Sequence, residues 1–107
     1  MVDRVIEITW IKKSVKSGDY LFSVHADEER RADHLSIDDI ELCLMNGDIL
    51  ENYPEDQRGI SCLVSGEVND NPIHVVCGKN KLGKLVIITV YVPTEPKWET
   101  PNKRRKK

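Results

Sequence analysis

The chain has 107 residues and 12.3 kDa, enough for one ordinary domain that buries its own core and too little for a second. Charged residues make up 32% and apolar ones 39%, which excludes a disordered or fibrous chain. Net charge is −2, yet Lys103, Arg104, Arg105, Lys106 and Lys107 are all basic, and without them 11 basic residues face 18 acidic ones, a net of −7. No apolar run approaches the ~18 residues that span a bilayer, and MVDRVIEITW has no signal-peptide core, so a cytoplasmic protein without a membrane partner is expected.

In chain order, residues 3 to 17 place Val5, Ile8, Ile11 and Val15 at helical spacing, with Trp10 beside the stripe and Gly18 as a stop. Tyr20 to Ser23 form a short bridge. VHADEERRADH then supplies helix formers with little apolar surface, hence a mostly solvent-facing helix. Ser36 with Asp39 approximates a capping box, after which Ile37, Ile40, Leu42, Leu44 and Met45 offer a buried face that Gly47 ends. From Asp48 the period falls towards 2. Strands are predicted at Ile49 to Tyr53, Ile60 to Val68, Ile73 to Gly78 and Leu85 to Val92, with turns at 54–59, 69–72 and 79–83. Pro93 stops the last. IHVVC and LVIITVYV are nearly continuous apolar runs, as central strands covered on both faces are. The fold class is therefore α+β: N-terminal helices packed on one face of a four-stranded antiparallel meander over residues 1–95, followed by an extended basic tail over 96–107 in which Trp98 packs back on the body.

Three widely spaced cysteines, Cys43, Cys62 and Cys77, sit among apolar neighbours and read as buried thiols, not as a disulfide framework. His74 and Cys77, three apart on a strand, point to opposite faces, so no metal site is expected. No glycine loop for a nucleotide, metal motif or Ser-His-Asp order is present, and no cofactor is expected.

YLFSVHA opening a helix, then LSIDDIELCLMNGDILENYPED, ISCLVSG, NPIHVV and IITVYVPTEPKW followed by basic residues resemble, over about residues 5 to 105, the bacterial family called domain of unknown function 4258. Many of its members are similar to small RelE/ParE-type toxins, helices followed by an antiparallel sheet, and some lie beside an antitoxin-like partner with a zinc-binding or helix-turn-helix domain. The resemblance implies a RelE/ParE-like fold and a metal-independent endoribonuclease, or a toxin-like protein that has lost the activity. It maps the family histidines onto His25 and His74, its tyrosine onto Tyr91, and its C-terminal segment onto Trp98 with Arg104 or Arg105. Glu29 and Asp33 stand where the family has arginines, the local basic residues being Arg30 and Arg31.

Cleaving RNA without a metal needs a base for the 2′-hydroxyl, an acid for the leaving 5′-oxygen and cations at the phosphate. His25 and His74 suit the proton roles, Tyr91 can donate or orient, Arg30, Arg31, Lys97, Arg104 and Arg105 can hold phosphate, and Trp98 can stack a base. Each has a structural counterpart: His74 and Tyr91 as sheet packing, His25 as part of a helix start, Arg30 and Arg31 as partners of Asp27, Glu28, Glu29 and Asp33. A second function follows from the acidic body, which repels RNA: a non-catalytic module that pairs with a basic protein such as a cognate antitoxin. Convergence of Lys12, Lys13 and Lys16 with the tail on the face carrying His74 favours catalysis; scatter favours binding.

Overall fold

The computed structural model describes residues 5–57 and 59–93, together with the backbone of 98–100 and 103–104. Three helices, α1 (Ile8–Ser17), α2 (Val24–Ala32) and α3 (Ile37–Asn46), accompany strands β1 (Tyr20–Phe22), β2 (Asp48–Tyr53), β3 (Ser61–Val68), β4 (Asn71–Lys79) and β5 (Leu85–Tyr91). Further on, β6 (Trp98–Thr100) pairs antiparallel with β7 (Lys103–Arg104). No helix among the described residues is long and apolar enough to cross a membrane.

The main sheet has five strands in the order β1-β5-β4-β3-β2, so the four-stranded expectation is corrected. The added strand is the segment Tyr20–Phe22, taken from sequence as a bridge. It runs parallel to β5, pairing Tyr20 with Leu85 and Phe22 with Ile87, and it separates α1 from α2 in the chain. Three residues are too few for a period-2 pattern to register, and their partner lies about 65 positions away. β2 to β5 form the expected antiparallel meander. Its β3–β4 hairpin turns on Asn69 and Asp70 alone, both with positive φ, the type I′ geometry that matches strand twist, so Asn71 and Pro72 already belong to β4.

Helix limits follow local chemistry. α1 starts at Ile8, later than the helical spacing from Val5 suggests: Glu7 is extended and makes no side-chain cap, and the β-branched pair Val5 and Ile6 favours extension, which buries Ile6 ahead of the helix. Gly18, φ 75°, closes it in the left-handed region. On α3 the capping box is present in full, Ser36 accepting from the Asp39 N–H and Asp39 from the Ser36 N–H. Its buried face is Ile40, Cys43 and Leu44, whereas Ile37, Leu42 and Met45, expected inside, are exposed. Ile40, Cys43 and Leu44 span one narrow arc at i, i+3, i+4; Leu42 lies about 160° from Ile40 and has to face away.

α3 lies across β3 and β4, and α1 packs on α3. Facing them, Cys62, Val64, Ile73, Val75, Cys77, Leu85, Ile87 and Val90 make one core. Ile87 and Val90 both point inward because β5 carries an extra residue, Ile88, opposite the Val76–Cys77 step. All three cysteines are free and buried. Burial pushes the Cys43 thiol up to about 12. The neighbouring Cys62 sulfur, 3.9 Å from Cys77 Sγ, together with burial raises Cys77 as well. α3 approaches β3 so closely that a Cβ on Gly66 would fall on the Cys43 carbonyl oxygen and lie 2.9 Å from its sulfur.

Gly66→Ala is expected to destabilise the protein by about 1–3 kcal/mol, read from denaturant unfolding, since the clash is with backbone. The thiols set a pH dependence too. Their native pKa values lie above those of the unfolded chain, so their contribution to stability is full below the ordinary thiol range and is lost as pH rises from about 9 towards 12. Unfolding titrations over that window are expected to show stability falling, with a shallower slope in Cys43→Ala.

Candidate functional site

β1 covers only the first residues of β5, and the outer edge of β5 beyond Ile87 would otherwise present unpaired backbone groups. The chain solves this with the start of α2. Ser23 donates its N–H to the Ile87 carbonyl and its hydroxyl to the Ile88 carbonyl, and its Oγ accepts from the Ala26 N–H, which caps the helix. One turn further, Glu29 Oε1 accepts from the Val90 N–H at 3.0 Å. Ala26, fully buried, is the contact residue that lets α2 lie against β5.

The other oxygen of Glu29, Oε2, lies 3.2 Å from His25 Nε2 on the same helix face, at i, i+4. The His25 side chain is 67% exposed and that of Glu29 27%. One carboxylate thus ties an accessible imidazole to the sheet edge. In a neutral ring whose Nε2–H donates to the carboxylate, the lone pair is on Nδ1.

Next to Val90, Tyr91 occupies the sheet face opposite the helices. It pairs across strands with His74, and His74 Nδ1 lies 3.1 Å from Tyr91 Oη, the rings meeting edge to face. His74 is fully buried. The same face continues through Ser65, opposite His74, to Leu63 and Ser61 and on to Glu51 and Tyr53 of β2. There the Tyr53 hydroxyl donates to Glu51, and Ser61 donates to Asp56.

The structure therefore brings His74 and Tyr91 into contact and links His25 to the residue before Tyr91 through Glu29. Arg30 and Arg31 are engaged elsewhere. Both contact the Asp27 carboxylate, at 2.8 and 3.1 Å, and Arg30 also donates to the Leu35 carbonyl at the end of the helix. Lys97 and Arg105 lie outside the described residues, as do the side chains of Trp98 and Arg104. Lys12, Lys13 and Lys16 sit on α1, on the helix side of the sheet, and do not join the face of His74. Among the described residues no three His, Cys, Asp or Glu side chains are grouped as metal ligands.

Glu29 entered the sequence reading as a departure from an expected arginine and as a charge partner of Arg30 and Arg31, and not as the partner of His25. Its signal was the i, i+4 spacing from His25. The bond to Val90 had no signal, being set by how α2 meets β5. Tyr20 was missed as well: its hydroxyl donates to Glu41 of α3, and burial, then that carboxylate, raises its pKa well above the usual phenol range.

A family model described as Domain of unknown function (DUF4258) matches residues 22–92, more than half of the chain. His25, Arg30, Arg31, His74 and Tyr91 fall inside that match, and Lys97, Trp98, Arg104 and Arg105 outside it. No curated protein and no solved structure matches the chain.

Glu29→Ala is expected to cost about 1–3 kcal/mol by leaving the Val90 N–H unpaired, and to speed hydrogen exchange at that amide. Glu29→Gln keeps an acceptor for Val90, and most of that loss is expected to be restored.

Proposed function

The chain belongs to the domain of unknown function 4258 family, and from that premise we propose that it is a RelE/ParE-like, toxin-type endoribonuclease that works without a metal and uses His25 as its base. The observation that carries the reading is the pairing of an exposed imidazole with a carboxylate that the sheet itself holds in place. A histidine that served only as a helix start would need no such fixed partner.

In this reaction His25 Nδ1 takes the proton of a ribose 2′-hydroxyl while that oxygen attacks the adjacent phosphorus. The bond from phosphorus to the 5′-oxygen breaks, the leaving oxygen takes a proton from solvent water while the His25 imidazolium returns its proton to the hydroxide so formed, and a 2′,3′-cyclic phosphate and a 5′-hydroxyl result. Glu29 orients the ring and stabilises the imidazolium that forms. Tyr91, one residue past the Glu29 anchor, donates to or orients the phosphate, and His74 from its buried position sets the direction of the Tyr91 hydroxyl. In this proposal the cations at the phosphate come from Lys97, Arg104 and Arg105, and Trp98 stacks a base.

A second reading is favoured by two observations, the first being that Lys12, Lys13 and Lys16 do not join the face of His74. Arg30 and Arg31 spend their charge on Asp27, so the α2 surface offers RNA little attraction. In that reading the protein is a non-catalytic module whose acidic body binds a basic partner, such as a cognate antitoxin of the zinc-binding or helix-turn-helix type.

Induced expression in a bacterial host distinguishes the two. Wild type is expected to arrest growth and degrade RNA, and purified protein to cleave RNA in the presence of a chelator. His25→Ala, an exposed position that the fold tolerates, is expected to lose about 10²-fold or more in cleavage rate. Full cleavage by folded His25→Ala, or intact RNA with wild type, overturns the nuclease reading and leaves the binding module.

A further inference from the structure

A cleft of about 260 Å³ opens where β4 and β5 meet the start of α2, lined by Ser23, Ile60, Gly78, Lys79, Asn80, Val86 and Ile88 along with Gly59. Its floor is apolar: Val86 and Ile88 of β5 stand beside Gly78, where a Cβ would meet the Ile60 carbonyl at 2.9 Å and Ile88 Cδ1 at 3.1 Å. Gly78 is thus a flat stretch of backbone between apolar side chains. Such a floor accepts the face of a ring. The volume lies just below the ~300 Å³ at which sites for whole small molecules begin, so it holds a single ring system.

The rim is polar and cationic. Lys79 lines this cleft together with a second one that Trp10 and Glu7 also line, and its Nζ sits 5.5 Å from the centroid of the Trp10 ring. Asn80 Oδ1 accepts from the N–H groups of Leu82 and Lys84, so what its side chain has left to offer a ligand is the donor amide nitrogen. Among the described residues no carboxylate lines this cleft; Glu7 lines the adjoining cleft that shares Ile60 and Lys79 with it, and Asp33 and Asp39 line another at the far end of β4. In a chain with so many acidic residues, a cleft with a cation and no carboxylate selects an anion that carries an apolar ring.

Ser23 gives the cleft its place in the reaction. The residue lines it and also caps α2, with His25 two positions further on. We propose that this cleft binds one base of single-stranded RNA, Lys79 contacting the phosphate attached to that nucleotide, and so sets the phosphodiester presented to His25. The assignment rests on the ribonuclease reading and names its substrate subsite.

The test titrates the full chain with adenosine 3′-monophosphate and with uridine 3′-monophosphate, following the Gly78 and Asn80 amides and the Ile60, Val86 and Ile88 methyl groups by NMR. Saturable shifts confined to these groups are expected. Lys79→Ala is expected to weaken binding about tenfold, and Val86→Phe, which fills the cleft from a partly exposed position, to abolish it while the melting temperature stays near wild type. His25→Ala is expected to bind the nucleotides as wild type does and not to cleave, which separates the subsite from the chemistry. Shifts with inorganic phosphate alone that equal those with the nucleotides, or with phenylalanine amide and not with either nucleotide, overturn the proposal. So does unchanged KM for RNA in Val86→Phe, even if cleavage itself stands. Nucleotide binding here in a protein that cleaves nothing supports the subsite and overturns only the nuclease reading.

Discussion

The outer edge of β5 is the constraint on which the rest of the architecture turns. A central, almost wholly apolar strand has to have its backbone groups paired on both sides, and the chain does this with three different devices in succession. β1 supplies parallel ladder bonds as far as Ile87, Ser23 takes the next carbonyl groups, and the Glu29 carboxylate takes the Val90 N–H. Because those devices lie in one continuous stretch of chain, their spacing fixes where α2 runs. The place of His25 follows. What looks like a catalytic pair is at the same time part of the hydrogen bonding of the sheet, so its geometry is held by elements that the fold cannot do without.

Periodicity reported what depends on neighbours in sequence and was silent where partners are distant. The α3 capping box, Gly18, the hairpin turn and four of the strands were legible because each is decided within a few residues. β1 was not, because three residues with a partner at the other end of the domain leave no local trace. The run of apolar residues in β5 concealed its bulge, since Ile88 is as apolar as its neighbours and only the pairing with Val76 and Cys77 reveals the additional residue. On α3 Ile40 and Leu44 were placed correctly, and Cys43, expected as a buried thiol, joins them, while Ile37, Leu42 and Met45 face out because the buried arc is narrower than the run of apolar residues.

The candidate site was legible in the same uneven way. His25, His74 and Tyr91 came from a family resemblance, and residue type alone could not say that one histidine is exposed and the other sealed in the sheet. That difference divides their roles. An accessible imidazole can exchange a proton with a ligand, whereas a buried one acts through the hydroxyl it contacts. Arg30 and Arg31 carried two readings in the sequence, phosphate contacts or partners of the acidic residues around them, and in the structure a single aspartate one turn away engages both.

The parallel pairing of β1 with β5 joins the two ends of the domain across about 65 positions, while the meander between them is made of short hairpins. Loop closure of that length is slow compared with hairpin formation, so β2 to β5 can assemble before β1 and α2 dock on them. On the ribosome the order of appearance is the opposite: His25 and Glu29 are synthesised early and have no Val90 to meet until β5 has emerged. On this topology, closing the β5 edge is a late step that ties the first third of the chain to β5.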